Sequence, residues 1–229
     1  MLWMKGWLET RWRLLFAVGI ILSTLVARAL MGVPLEQDAR RMMTAVTFLW
    51  LFAAVFLAGA GIKTQAAFQA TKGLHGSTYV TLSLPVSRFR LLAVRAGIGF
   101  LETAGIILLS SAVAWALFPM VRAGSTLADL IKLVLTGWCC TLTFYAIAVL
   151  LAVFLDEMWQ VWGTLIAIGL MKWLTFRYPP PPSLDVFRAI GNASPLLTHT
   201  LPWAAMAVSL GFAAILFVVT ARAVRAREY

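Results

Sequence analysis

Long uninterrupted apolar runs constrain the fold of this chain more than any other feature. A helix that crosses a bilayer needs roughly 20 mostly apolar residues. Such runs lie at residues 14–33, 42–62, 91–118, 127–155, 158–174 and 202–221. Strands of a membrane barrel would instead alternate apolar and polar residues, and a composition of 62% hydrophobic and 12% charged residues leaves too little polar surface for a soluble globule. We therefore predict an all-α integral membrane protein with six transmembrane helices.

The short connections between these runs predict a single transmembrane domain over residues 1–229. Its first part, residues 1–13, is predicted to be an interfacial helix that lies among the lipid headgroups and bends into the first span near Leu14. Charged residues recur there every four positions, and tryptophans cover much of the remaining surface: Lys5, Glu9, Arg13, Trp3, Trp7 and Trp12. The alternative is an aromatic belt on an extended first span.

The net charge of +10 would suggest a nucleic-acid partner for a soluble protein, but in a membrane protein it first reports orientation. Eleven of the 19 Lys and Arg residues lie in the two terminal segments and in residues 63–95. Basic residues accumulate on the cytoplasmic side. We therefore predict cytoplasmic termini, a cytoplasmic loop over 63–90, an external loop over 175–201, and no nucleic-acid partner. Within the external loop, Leu184, Val186, Phe187 and Ile190 predict a short amphipathic helix that lies on the outer leaflet or dips into it.

Motifs of soluble or membrane-embedded enzymes do not occur in the sequence. It contains no GxxxxGK[ST] phosphate loop, no HExxH and no GxSxG, and it has only two histidines. An enzyme would need a constellation of catalytic groups. We therefore predict no catalytic residues, no metal site and no bound cofactor.

Two ionisable residues of the third predicted span are candidates for function, because charges in hydrocarbon are costly. Glu102 lies about twelve residues from the cytoplasmic start of this span, which is roughly 18 Å and near the midplane. Arg95 stands seven residues earlier on the same helical face. Either both belong to a water-filled or interhelical network, or Glu102 makes a structural hydrogen bond to a neighbouring helix.

The cytoplasmic loop contains a helix, a break and a second helix. Residues 77–83 can form about two turns, and Pro85 ends them because the residue before a proline disfavours the helical region. Ser87 then stands where the N-cap of the next helix is expected. A short helix held between two spans would transmit movement if a partner bound it.

These features together resemble the permeases of ABC type-2 transporters, whose architecture is shared with G-subfamily ABC exporters. The resemblance rests on the interfacial N-terminal helix, six spans with both ends inside, GSTYVTLSLPVSRFRLLAVR at residues 76–95, and an external re-entrant-like segment before the sixth span. Its most specific part is the LPVSRFRLL run at residues 84–92.

The resemblance implies that residues 74–84 form a coupling helix that docks in a groove of a separate ABC ATPase subunit. Tyr79 and Leu82 are the implied contacts, with Arg88 near the ATPase or lipid phosphates. The full set of implied coupling residues is Leu74, Gly76, Tyr79, Leu82, Pro85 and Arg88. Many relatives carry an acidic residue around positions 78–81, where this chain has Thr-Tyr-Val-Thr.

The resemblance further implies two permeases, either two copies or a copy and a paralogue, with two ATPases that bind ATP and Mg. The substrate would be lipophilic or amphipathic, such as a drug, a peptide or a lipid-like molecule, and the location the bacterial inner membrane. In relatives the second and fifth spans line the pathway. On the second span here the candidates are Phe48, Phe52 and Phe56, with lipid-facing or core packing as the alternative.

A membrane protein outside the ABC class is the remaining alternative, either a small carrier or an assembly factor. A secondary carrier would be expected to contain internal repeats and helices broken at the midplane. The two halves of the sequence contain no convincing repeat.

Overall fold

The apolar runs form long helices in the computed structural model, which describes residues 2–30, 37–58, 88–155 and 157–226. These residues contain helices and no strand. The helices are α1 (Leu2–Leu30), α2 (Gln37–Leu57), α3 (Arg88–Leu117), α4 (Pro119–Ala123), α5 (Leu127–Phe154), α6 (Glu157–Arg177), α7 (Val186–Ile190), α8 (Pro195–Thr198) and α9 (Trp203–Arg225). The predicted all-α fold is confirmed.

Within the described ranges, four helices are long and apolar enough to cross a membrane, by length and composition. Their apolar parts are Thr10–Leu30, Leu92–Leu117, Leu127–Phe154 and Trp203–Arg225. The chain is therefore a multi-pass membrane protein. α2 and α6 have 21 residues each, but the apolar part found in α2, Val46–Leu57, is shorter than a full span.

α1 and α3 lie side by side and run in the same direction. Trp3 lies against Gly97, where an added Cβ would be 3.1 Å from the tryptophan ring. Thr10, two turns further along α1, contacts Glu102. α1 is one continuous helix from Leu2 to Leu30, so the predicted interfacial segment and the first span belong to the same helix. Its first turns pack against α3 through Trp3 and Thr10.

α2 runs in the opposite direction to α3. The Leu57 carbonyl at its end approaches Gly99, and the Trp50 indole donates a hydrogen bond to Ser110, higher on α3. Tyr145 and Gly137 of α5 contact Ala96 and Ile107 of α3, so α5 runs opposite to α3. Thr136 and Thr143 of α5 contact Met206 and Ser209 of α9, so α9 runs in the same direction as α5. Gln160, near the start of α6, donates to the Val55 carbonyl near the end of α2.

The long helices therefore alternate in direction along the chain. The starts of α1, α3 and α6 and the ends of α2, α5 and α9 lie at one end of the bundle, which we call the basal end; the opposite end is the distal end. Both the first and the last described residues are at the basal end. This arrangement agrees with the prediction that the two termini share one side.

The segment predicted as the external loop enters the bundle at its distal end. Asp185 caps α7 by accepting a hydrogen bond from the Arg188 amide. Ile190 is fully buried, and its carbonyl accepts a hydrogen bond from the Thr47 hydroxyl at 2.7 Å. The Phe187 ring lies 5.4 Å from that of Phe144. The short helix predicted at this position thus packs between α2 and α5.

Candidate functional site

The coupling segment implied by the resemblance lies largely outside the described residues. This applies to Leu74, Gly76, Tyr79, Leu82 and Pro85. Arg88 is the first residue of α3, directly after the predicted N-cap Ser87. The helices that precede and follow this segment in the chain, α2 and α3, both reach the basal end.

A buried carboxylate joins α1 to α3. The Glu102 side chain is only 7% exposed, and its Oε1 accepts a hydrogen bond of 2.5 Å from the Thr10 hydroxyl. Among the described residues its Oε2 has no hydrogen-bond partner. The positive charge of Arg13, three residues after Thr10, acts on this carboxylate. The Glu102 side chain thus accepts a hydrogen bond from α1, and the charge of Arg13 on the same helix acts on it.

Three helices meet one turn below Glu102. The fully buried Tyr145 of α5 donates its hydroxyl to the Ala96 carbonyl at 2.8 Å. A Cβ added to Gly99 would lie 2.5 Å from the Tyr145 hydroxyl oxygen and 2.8 Å from the Leu57 carbonyl oxygen. Only glycine leaves room for α2, α3 and α5 to approach this closely. We call Thr10, Arg13, Gly99, Glu102 and Tyr145 the polar junction.

Sequence reasoning found one member of this site and missed its partners. It placed Arg95 on the same face as Glu102, and Arg95 is half-buried. The hydrogen bond described for Glu102 comes from Thr10, and the charge of Arg13 on the same helix also acts on it. The spacing of three between Thr10 and Arg13 places both on one face of α1, but the sequence does not reveal that this face meets α3.

The three candidate pathway phenylalanines form a stripe along the outer side of α2. Phe48 is 60% exposed. Phe52 and Phe56 are half-buried and stack with their ring centroids 6.0 Å apart, and the Phe56 ring lies 5.6 Å from that of Phe16 on α1. This stripe therefore faces lipid or another protein, while the interior face of α2 is formed by other residues, Trp50 among them.

A second polar cluster closes the distal end. Asp129, in the first turn of α5, forms a capping box with Thr126. Its carboxylate also contacts Lys132 at 3.0 Å and the His199 ring at 2.9 Å. Lys132 further donates to the His199 carbonyl at 2.8 Å. Each group is engaged by another, so the cluster fastens α5 to the connection before α9.

These clusters do not form a metal centre. Across the described ranges, no group of three or more His, Cys, Asp or Glu side chains is placed to hold an ion. The polar junction has one carboxylate and one cation, and this combination suits a contact between helices.

The hydrogen bond between Thr10 and Glu102 gives a direct prediction. We expect Thr10→Val, which keeps the β-branched shape, to destabilise the protein by about 1–2 kcal/mol, at the upper end for interhelical hydrogen bonds in membranes, because a carboxylate loses its donor. The measurement is SDS-induced unfolding followed by circular dichroism. Thr24→Val is the matched control, since the Thr24 hydroxyl bonds only within α1, to the Ile20 carbonyl. An equal loss of stability in Thr10→Val and Thr24→Val would contradict a stabilising role of the hydrogen bond between Thr10 and Glu102.

Comparison with known proteins gives no relative: no protein-family model, no curated protein and no solved structure matches this chain.

Proposed function

We propose that this chain is the membrane-spanning permease subunit of an ATP-driven ABC exporter that moves a lipophilic or amphipathic substrate out of the cytoplasm or the inner leaflet. The observation that carries this proposal is the alternating direction of the long helices. It brings the end of α2 and the start of α3 to the basal end, and the LPVSRFRLL run at residues 84–92 leads into α3 and forms its first turn.

Six spans are part of the proposal. α2 and α6 have 21 residues each, which corresponds to roughly 31 Å and matches the hydrocarbon thickness of a bilayer. Each runs antiparallel to the long helices that precede and follow it in the chain, as successive membrane-spanning helices must. The basal end would be cytoplasmic, since eleven of the 19 basic residues fall in the two terminal segments and in residues 63–95. The helix ends that border these segments lie at the basal end.

The contacts at the basal end support a mechanical role. Gly99 joins α2, α3 and α5 at close range, and the bond between Trp50 and Ser110 links α2 to α3 further up. The polar junction adds α1 through Thr10. A displacement of the coupling segment by the ATPase would therefore move α1, α2 and α3 together, and such rigid-body movement produces alternating access.

A second permease would complete the pathway. Exposed apolar side chains cover the outer faces of α2 and α6, with Phe48, Trp162 and Ile166 all more than half exposed. Large apolar faces of this kind suit a protein partner or lipid. Two permeases and two ATPase subunits form the proposed assembly, with ATP and Mg bound by the ATPases.

Co-purification with an ATP-binding subunit tests this proposal. We expect the chain, expressed with an ABC ATPase of its own cell, to purify as a complex and to stimulate ATP hydrolysis several-fold after reconstitution in lipid vesicles. The ATPase alone is the control. Failure of any ATPase of its own cell to bind would refute the proposal, and ATP-independent transport by the chain alone would favour a secondary carrier.

A further inference from the structure

An apolar groove lies between α3 and α9 at the basal end. Its volume is about 390 Å³, within the range of small-molecule pockets. The lining residues include Leu92, Ala96 and Phe100 from α3 and Phe217, Val218 and Ala221 from α9. Val218 is 53% exposed, so the groove opens on the outer surface of the bundle, where the bilayer would be.

The chemistry of the groove suits a hydrocarbon chain. Its one polar lining side chain, Thr220, donates its hydroxyl to the Leu216 carbonyl at 2.7 Å and so presents no free donor. The small side chains of Ala93, Ala96 and Ala221 leave room between the two helices. A ligand held here by shape alone would be apolar and unbranched, as an acyl chain is.

Arginines stand at the basal rim of this groove. Arg222 follows the lining residue Val218 by four positions, and Arg225 follows Ala221 by four, so each lies on the same helical face one turn below the groove. Helical side chains lean toward the helix N-terminus, which directs both arginines back toward the groove. On α3, Arg90 precedes the lining residue Ala93 by three. Guanidinium groups bind phosphate through paired hydrogen bonds.

We propose that this groove binds an anionic phospholipid, with one acyl chain between α3 and α9 and the phosphate on the arginine rim. Basic pockets between membrane helices hold anionic headgroups in this manner. The exposed Arg222 is the principal headgroup contact. Lipid binding in this groove requires only that the bundle be inserted in a membrane, and it does not depend on the export function.

Native mass spectrometry of the detergent-solubilised protein tests the site. With phosphatidylglycerol as probe, we expect the first phosphatidylglycerol molecule to bind more tightly than further ones. We also expect it to bind more tightly than phosphatidylcholine with the same acyl chains. Arg222→Gln is expected to weaken phosphatidylglycerol binding about fivefold, the usual effect of one basic residue on an anionic lipid. Arg122→Gln, at an exposed arginine of the distal end, is the matched control and is expected to bind like the wild type.

The acyl-chain half of the proposal has its own variants. Ala93→Leu and Ala221→Leu are expected to fill the groove and weaken binding of both lipids, with unchanged thermal unfolding in the absence of lipid. Glycerol 3-phosphate is expected not to displace the lipid. Equal binding of the two lipids, equal effects of Arg222→Gln and Arg122→Gln, retention of lipid by both groove-filling variants, or displacement by glycerol 3-phosphate would each overturn the proposal.

Discussion

Leu82→Asp is expected to abolish ATP-driven transport while the chain still inserts in the membrane and folds. If residues 74–84 dock in the ATPase as proposed, this substitution buries a carboxylate in an apolar contact, and an unpaired buried charge costs several kcal/mol. Such a loss corresponds to a more than tenfold weaker contact. The measurements are substrate transport and ATP hydrolysis by the reconstituted complex, and hydrolysis is expected to continue without transport. Tyr79→Asp should behave in the same way.

Leu184→Asp is the matched control for this prediction. Leu184 is 38% exposed and lies in the distal segment before α7, so the same change of leucine to aspartate falls at the other end of the bundle. Its transport activity should resemble that of the wild type. Normal transport by both Leu82→Asp and Tyr79→Asp would show that the coupling helix is assigned to the wrong residues, even if the complex with an ATPase forms.

Gly99→Ala is expected to destabilise the bundle by up to about 2 kcal/mol. The added methyl group would lie 2.5 Å from the Tyr145 hydroxyl oxygen and 2.8 Å from the Leu57 carbonyl oxygen. Overpacking of this kind costs roughly 1–3 kcal/mol, which exceeds the gain of up to about 1 kcal/mol from replacing glycine in a helix. Because Leu57 contributes backbone, only a shift of α2 would relieve that contact. SDS-induced unfolding measures the loss.

Two variants make this second prediction specific. Gly105→Ala changes the same residue type on the same helix, where no atom lies within 4 Å of the added carbon, and it should leave stability equal or slightly higher. Adding Tyr145→Phe to Gly99→Ala removes one of the two clashes and should recover part of the loss. Equal stability of Gly99→Ala and Gly105→Ala would contradict the close approach of the three helices.

The pattern of apolar residues along the chain predicted the positions of several long helices. The apolar runs predicted helices over 91–118, 127–155 and 202–221, and α3, α5 and α9 occupy these regions. The reason is general: a segment in hydrocarbon must satisfy its own backbone hydrogen bonds, and a helix does so within itself. The short helix predicted near Val186 also forms, because Asp185 supplies its cap.

The sequence predicted the partners of these helices less well. It indicated Glu102 as unusual because a carboxylate in an apolar run is conspicuous. It did not indicate Thr10, which is 92 positions away along the chain, nor the meeting of Asp129 with His199 across 70 positions. Contacts of this range depend on which helices are neighbours and how each is rotated about its axis.

By itself, then, the sequence determined that this is a helical membrane protein and which stretches form its helices, because hydrophobic length and internal hydrogen bonding are local properties. Only the tertiary structure decided that α1 packs along α3 from its first turns, that α7 packs inside the bundle and that Gly99 lies where three helices meet. These features arise from the fit between surfaces distant in the chain, where a single added carbon at Gly99 would come within 2.8 Å of two helices at once.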